Sequence, residues 1–383
     1  AAPDQGQGRR VDRRQKPPDA VDGCGTRRGG GLFKGVENGK FLSGRSGREL
    51  RPYPHDLVNP ILTSAPATCG TTEKAGSRDE DAMSEKIAYS QLRAAPRQNL
   101  RDIVPLRAPF TLYVETTNIC NFNCVYCPES FEDFEAKSGG MFRMDFAAFT
   151  RVADQIADMG GVKALNLYMM GEPFVNRGLP DFIRIAREKG IANRIAVTSN
   201  ASLINETIAR QVIEAGLDYL RVSVYGGTSE AHARKTQSKV PFDRIWRNVK
   251  TFRDTRDAIG GATQVYVKMI DSGVKEENEA FLRTFGPVAD EAHIEPAMNW
   301  NDPDEGVLAQ IDRSAMLETD HFRNRKDVCP FPFYSLVIHS DLRVSVCCVD
   351  WAKQAVVGDL SKQTLAEVWR GQALRDFQTA HLE

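Results

Sequence analysis

The 383 residues contain no run of eighteen apolar side chains, so the sequence offers no segment long enough for a membrane-spanning helix. A charged start followed by an apolar stretch is also missing, which argues against a secretory signal. Net charge is nearly absent: the formal value is −1 at pH 7, leaving no global field to draw nucleic acid or an anionic membrane. Apolar periodicity is lacking over residues 1–82, which hold 13 of the 30 glycines and 7 of the 19 prolines. Such a stretch buries too little surface to offset its ordering entropy. Amphipathic order begins at Met83 with MSEKIAYSQLR. Residues 1–82 are therefore expected to be a disordered or non-native leader, translated from upstream sequence, with Met83 as the true start. What the chain does have is eight cysteines, clustered rather than spread: Cys24, Cys69, Cys120, Cys124, Cys127, Cys329, Cys347 and Cys348. In a chain of this size without an export signal, tight clusters suggest metal binding before disulfides.

From Thr111 the pattern alternates. TLYVE, ALNLYMM, RIAVTS, YLRVSVY, QVYVKMI and HIEPAM read as six strands. Helices fall between them: one over 144–159 closed by Gly160-Gly161, one closed by Gly190, one capped by Asn205, and two near 241–258 and 276–285. Six strands with intervening helices predict a parallel sheet with right-handed crossovers, an open or partial barrel. Residues 301–326 are acidic and irregular and read as a linker. The remainder, 327–383, holds two strands around a Ser340-Asp341 turn and two short helices. The expected class is α/β: a partial (β/α)6 barrel over 83–300, followed by a small α+β extension with three cysteines.

The first cluster, CNFNCVYC, spaces Cys120, Cys124 and Cys127 by three residues and then two. A short loop can wrap such a triplet around one face of a [4Fe–4S] cube and leave one iron open for chemistry. A zinc site with a distant fourth ligand and free buried thiols remain alternatives at this stage.

CxxxCxxC after the first strand, with Tyr126 before the third cysteine, resembles the radical S-adenosylmethionine superfamily. The resemblance implies a [4Fe–4S] cluster on the triplet and S-adenosylmethionine as cofactor, cleaved to a 5′-deoxyadenosyl radical that abstracts a substrate hydrogen. It implies that Gly171-Glu172-Pro173 receives the methionyl ammonium, where a carboxylate and turned backbone carbonyls face a cation. Met170 stands where the family often has a further glycine. It also implies ribose or carboxylate contacts for Ser199, Asn200 and Ser223, with Tyr126 against adenine. Each of these polar residues equally suits an ordinary turn or cap. Lys268, Glu295 and Asn299, at the ends of later strands, lie where barrel sites open.

The segment VCPFPFYSLVIHSDLRVSVCCVDW, with VGDL and TLAEVWRG, resembles the SPASM or twitch extension of the same superfamily. This implies an auxiliary [4Fe–4S] cluster in the full-length protein, with Cys329 and Cys347 as its first two ligands. Strand alternation would send Cys348 to the opposite face. Leu342 occupies the place of a usual glycine, so an altered turn is expected. The family layout places a further CxxC after LRDFQTAHL. The natural protein is thus expected to continue past Glu383 by about ten to thirty residues. Asp350, just after the cysteine pair, is a candidate general base, with a turn or salt-bridge role as the alternative. Relatives act on amino-sugar alcohols, sulfatases or ribosomal peptides. Residues 83–110 are too short for the peptide-binding domain of peptide-modifying relatives. The expectation is therefore a small polar substrate of sugar or aminocyclitol type rather than a peptide, in a cytoplasmic enzyme. The expected partner is a flavodoxin- or ferredoxin-type electron donor, with no nucleic acid and no membrane. An iron–sulfur scaffold or electron carrier without catalysis is the rival of another class.

Overall fold

The computed structural model describes residues 99–295 and 328–383. The leader 1–82, the start at Met83, the linker 301–326 and residues Cys24, Cys69 and Asn299 lie outside the described residues.

Strands form where β-branched and aromatic residues run together. They are β1 (Thr111–Val114), β2 (Val162–Asn166), β3 (Ala192–Ser199), β4 (Tyr219–Val224), β5 (Gln264–Ile270), β6 (Glu291–Glu295), β7 (Ser335–Ile338), β8 (Arg343–Ser345) and β9 (Val356–Asp359). They make one open sheet in the order β6-β5-β4-β3-β2-β1-β7-β8-β9. β1 to β6 are all parallel to their neighbours. The six expected strands and the partial barrel are thus present.

The helices are α1 (Phe134–Ser138), α2 (Phe146–Asp158), α3 (Leu179–Glu188), α4 (Glu206–Glu214), α5 (Ser229–Thr236), α6 (Phe242–Ala258), α7 (Lys275–Phe285), α8 (Leu365–Trp369) and α9 (Gln372–Leu382). Asp145 accepts from the Ala148 N–H and starts α2; Asn205 accepts from Ile208 and starts α4. Thr364 and Glu367 form a capping box on α8. None of the described helices is long and apolar enough to cross a membrane.

Alternation along the strands separates two faces. Leu112, Leu165, Ile195, Val197, Leu220, Val222, Val265 and Val267 are fully buried and join one core with Phe149, Phe182, Val249 and Phe252 from the helices. The Phe149 and Phe182 rings of α2 and α3 stack at 4.4 Å. The opposite face carries Tyr113, Asn166, Thr198, Arg221, Ser223, Tyr266, Lys268 and His293, brought into line by the register.

The C-terminal segment does not stand apart as an appendage. β7 pairs parallel with β1, Thr111 to Ser335 through Val114 to Ile338, so the extension prolongs the barrel sheet. Expectation and structure also differ in β9, an unforeseen strand that pairs antiparallel with β8.

Candidate active site

The cysteine triplet follows β1 and is tied down from three sides. Asn118 binds the 140–142 turn, donating to the Gly140 carbonyl (2.8 Å) and accepting from the Phe142 N–H (2.6 Å). The Asn123 and Val125 N–H groups donate to the Thr236 and Lys235 carbonyls, 3.1 and 2.9 Å, which moors the loop to the end of α5. Asn121 donates to the Ser202 hydroxyl at 2.8 Å.

Burial pushes all three thiols up, and each lies near enough to another to raise it further. Among the described residues, no three His, Cys, Asp or Glu side chains gather tightly enough for a single metal ion. Three soft donors on one short loop suit a cluster whose irons each take one thiolate.

Gly171 and Glu172 lie directly over this loop. At Gly171 φ is +74°, and a Cβ there would fall 2.4 Å from the Thr117 carbonyl oxygen. Only glycine tolerates both the turn and the approach. The Glu172 N–H donates to the Ile119 carbonyl at 3.0 Å, and Pro173 opens a single 3-10 turn. The Glu172 carboxylate accepts from the Ser199 hydroxyl (2.7 Å) and the Asn200 N–H (2.6 Å). Burial raises its pKa to about 7, and these hydrogen bonds restrain the rise. The Asn200 amide donates to Asn121 at 2.9 Å and reaches the Cys120 sulfur at 3.8 Å. The structure thus joins Cys120, Gly171, Glu172, Ser199 and Asn200 in one network. Tyr126 is nearly buried, its ring 5.8 Å from that of Tyr225. Ser223 stands elsewhere, on β4 opposite Lys268.

Two carboxylates that sequence reasoning passed over complete the surroundings. Glu129, within CPES, accepts from the Gly171 N–H and from the Cys120 thiol; burial raises it to about 8. Glu115 ends β1 and is 1 % exposed. It accepts from the Ser340 N–H and hydroxyl (3.0 and 2.8 Å) and from the Met170 N–H (3.4 Å), with His339 Nδ1 at 3.7 Å. Burial pushes Glu115 up, but His339 and Ser340 outweigh it and hold the carboxyl below its ordinary range. The signal for Glu115 was a lone acid closing an apolar strand; CPES carried none.

The late cysteines depart from the strand-based expectation. β8 ends at Ser345, so Cys347 and Cys348 lie in a turn and alternation does not apply. The two neighbouring thiols act on each other, which holds Cys347 down at about 7 and pushes Cys348 up. Cys329 is exposed. Its N–H donates to His381 of α9 at 3.1 Å. The altered turn at Leu342 is also corrected. That leucine takes φ +71°, the left-handed backbone that favours glycine, so the turn is kept under strain. Asp350 is buried with both oxygens occupied, accepting from the Gln354 and Ala355 N–H groups at 2.8 and 2.9 Å. In this geometry it organises the turn.

Residues 114–270 match the model of the radical SAM superfamily, and residues 329–383 match that of an iron-sulfur cluster-binding domain, SPASM. The chain belongs to the radical SAM superfamily, in its SPASM subgroup. Its cofactors are accordingly a [4Fe–4S] cluster and S-adenosylmethionine, with auxiliary iron–sulfur binding in the SPASM segment. Over 119 residues the chain is 35 % identical to a probable GTP 3′,8-cyclase of Metallosphaera sedula, covering 31 % of this chain and 35 % of that protein. The chain thus spans about a third of the length of the curated relatives it matches. Among solved structures it resembles SuiB of Streptococcus suis bound to the precursor peptide SuiA (TM-score 0.53, 15 % identity, 72 % of this chain and 68 % of that one). It also resembles anSMEcpe with bound AdoMet (TM-score 0.52, 14 % identity, 72 % and 84 %). At these identities the likeness is one of fold.

Proposed function

We propose that this radical SAM enzyme reductively cleaves S-adenosylmethionine and takes a hydrogen atom from a small polar metabolite of sugar or aminocyclitol type. One observation carries the reading: the loop of three cysteines, the Asn200 amide and the Glu172 carboxylate meet at one end of the sheet, Asn200 linking Cys120 to Glu172. Cys120, Cys124 and Cys127 would hold the cluster. Gly171, Glu172, Pro173, Ser199 and Asn200, with Ser223 and Tyr126, would hold S-adenosylmethionine. When bound, the two supply a 5′-deoxyadenosyl radical able to abstract hydrogen. The chain itself would orient Cys120 through Asn200 and offer the Glu172 carboxylate to the methionyl ammonium.

The polar, tyrosine-lined inner face supports a small polar substrate. Cys329 and Cys347, now with Cys348, would serve an auxiliary cluster that assists oxidation. A flavodoxin- or ferredoxin-type protein would deliver the electron. A peptide substrate is the second reading; it draws on the fold shared with SuiB, whose structure holds its precursor peptide.

The test is 5′-deoxyadenosine, quantified after anaerobic cluster reconstitution, reduction and addition of S-adenosylmethionine. The reading expects its formation. A loaded cluster that yields none would overturn it and favour a scaffold or carrier.

A further inference from the structure

Parallel strands buried on both faces read as nearly unbroken apolar runs. β4, β5 and β6 break that rule on one face. Arg221 pairs in register with Tyr266, Ser223 with Lys268, and Lys268 with His293, so these side chains share a face, and Glu295 follows His293 by two. Glu295 collects three donors there. They are the Arg221 guanidinium, the Tyr266 hydroxyl at 2.7 Å and the Lys268 ammonium at 3.5 Å. Two cations thus share one carboxylate, while the next acid on this face, Glu291, lies 3.3 Å from His293 instead. Among the described residues no other carboxylate forms an ion pair with either cation.

The side chains of Arg221, Lys268 and Glu295 are 26, 16 and 21 % exposed. That is too little for a free surface and too much for a sealed core, and it fits the wall of a recess. It lies on the same sheet face as Tyr113 of β1, the strand that leads into the first cysteine triplet. Arg221 acts electrostatically on Tyr225, which senses all three thiols of the first triplet. It also acts on Tyr113 and Tyr168, which sense Cys348.

An ion pair that merely stitched the sheet edge would need one cation. The second is under-compensated: burial and the Arg221 charge hold Lys268 down at about 8, against the restoring pull of Glu295. We propose that this recess receives the substrate and that Arg221 and Lys268 grip an anionic group on it, a carboxylate or a phosphate. The proposal rests on the reading above and narrows its substrate class to anionic metabolites. Arg221 supplies a planar fork that matches either oxyanion, and Lys268 supplies a point charge. Glu295 aligns both and sets the affinity by competing with the incoming anion.

The test uses inorganic phosphate and acetate as probes, titrated calorimetrically into the reconstituted chain at fixed ionic strength. Saturable binding is expected. Arg221→Gln and Lys268→Met should each weaken it by about ten- to a hundredfold. Glu295→Gln should act in the opposite direction and tighten it several-fold, which a damaged fold does not do. Tighter phosphate than acetate points to a phosphorylated metabolite, and the reverse order to a carboxylic acid. Absence of saturable binding in the wild type, or equal affinities in Lys268→Met and Glu295→Gln, would overturn the proposal. Wild-type protein that forms 5′-deoxyadenosine yet fails this test keeps the reaction and loses the recess. Protein that binds anions in this pattern yet forms none keeps the recess and loses the reaction.

Discussion

Cys120, Cys124 and Cys127 stand in a loop moored to α5, to the 140–142 turn and to the Gly171 turn. Cys329, Cys347 and Cys348 stand differently: one is exposed, and the other two are half-buried neighbours just beyond β8. The first region is arranged before any cluster arrives. The second hangs on fewer ties: the Cys329 N–H meets the His381 ring at 3.1 Å, and Cys347 and Cys348 follow the end of β8. Preorganisation lowers the cost of binding, so the two regions should differ in how firmly they hold iron.

The largest effect expected is from Cys120→Ala with Cys124→Ala and Cys127→Ala. Iron at the first site and 5′-deoxyadenosine formation should both vanish, as read by iron assay and mass spectrometry. Iron counting on the unaltered chain should give about four firmly held atoms rather than eight, because the second region is less preorganised. Firm binding of eight would erase the contrast between the regions.

Next in size is Gly171→Ala. Its Cβ would meet the backbone of 117–119, at a φ of +74°. The cost should be about 2–4 kcal/mol in chemical denaturation. A loss below about 0.5 kcal/mol would mean that the loop is less constrained than the hydrogen bonds indicate.

A smaller effect concerns Glu295. Its carboxyl sits at about 2, because Lys268 and Arg221 outweigh the burial that would raise it. Unfolded glutamate titrates near about 4.3. The folded state therefore favours the ionised form. Its contribution is complete above the unfolded value and fades as pH falls through 4 toward about 2. Relative to Glu295→Gln, the wild type should lose about 1–3 kcal/mol over that acid range. Parallel stability curves would contradict the paired geometry.

Much of this was legible in advance, for physical reasons. The strands and helices of the barrel follow from apolar periodicity, and Asn205 and Gly190 announced their caps. The triplet was visible through its spacing, and the GEP turn through its place after the second strand and the family resemblance. What escaped notice depends on contacts between distant positions. Glu115 meets Ser340 across 225 residues, and β7 joins β1 through a register that no local pattern specifies. The fate of Cys348 was misjudged because alternation was extended past the true end of β8. Arg221 was the missed signal, a cation in the middle of a strand whose other face is wholly apolar.

The smallest expected effect is Leu342→Gly. Relief of the left-handed strain at φ +71° opposes the loss of leucine packing. The net change in thermal stability should stay within about 1 kcal/mol. A loss near 3 kcal/mol would show that packing dominates at this turn.

The most direct measurement is the electron paramagnetic resonance spectrum of the reduced protein. It is recorded with and without S-adenosylmethionine, in a variant carrying Cys329→Ala, Cys347→Ala and Cys348→Ala. The first site alone should then bind about four irons and give a [4Fe–4S] signal that shifts when S-adenosylmethionine is added. Zinc in place of iron, or a cluster signal indifferent to S-adenosylmethionine, would contradict the account.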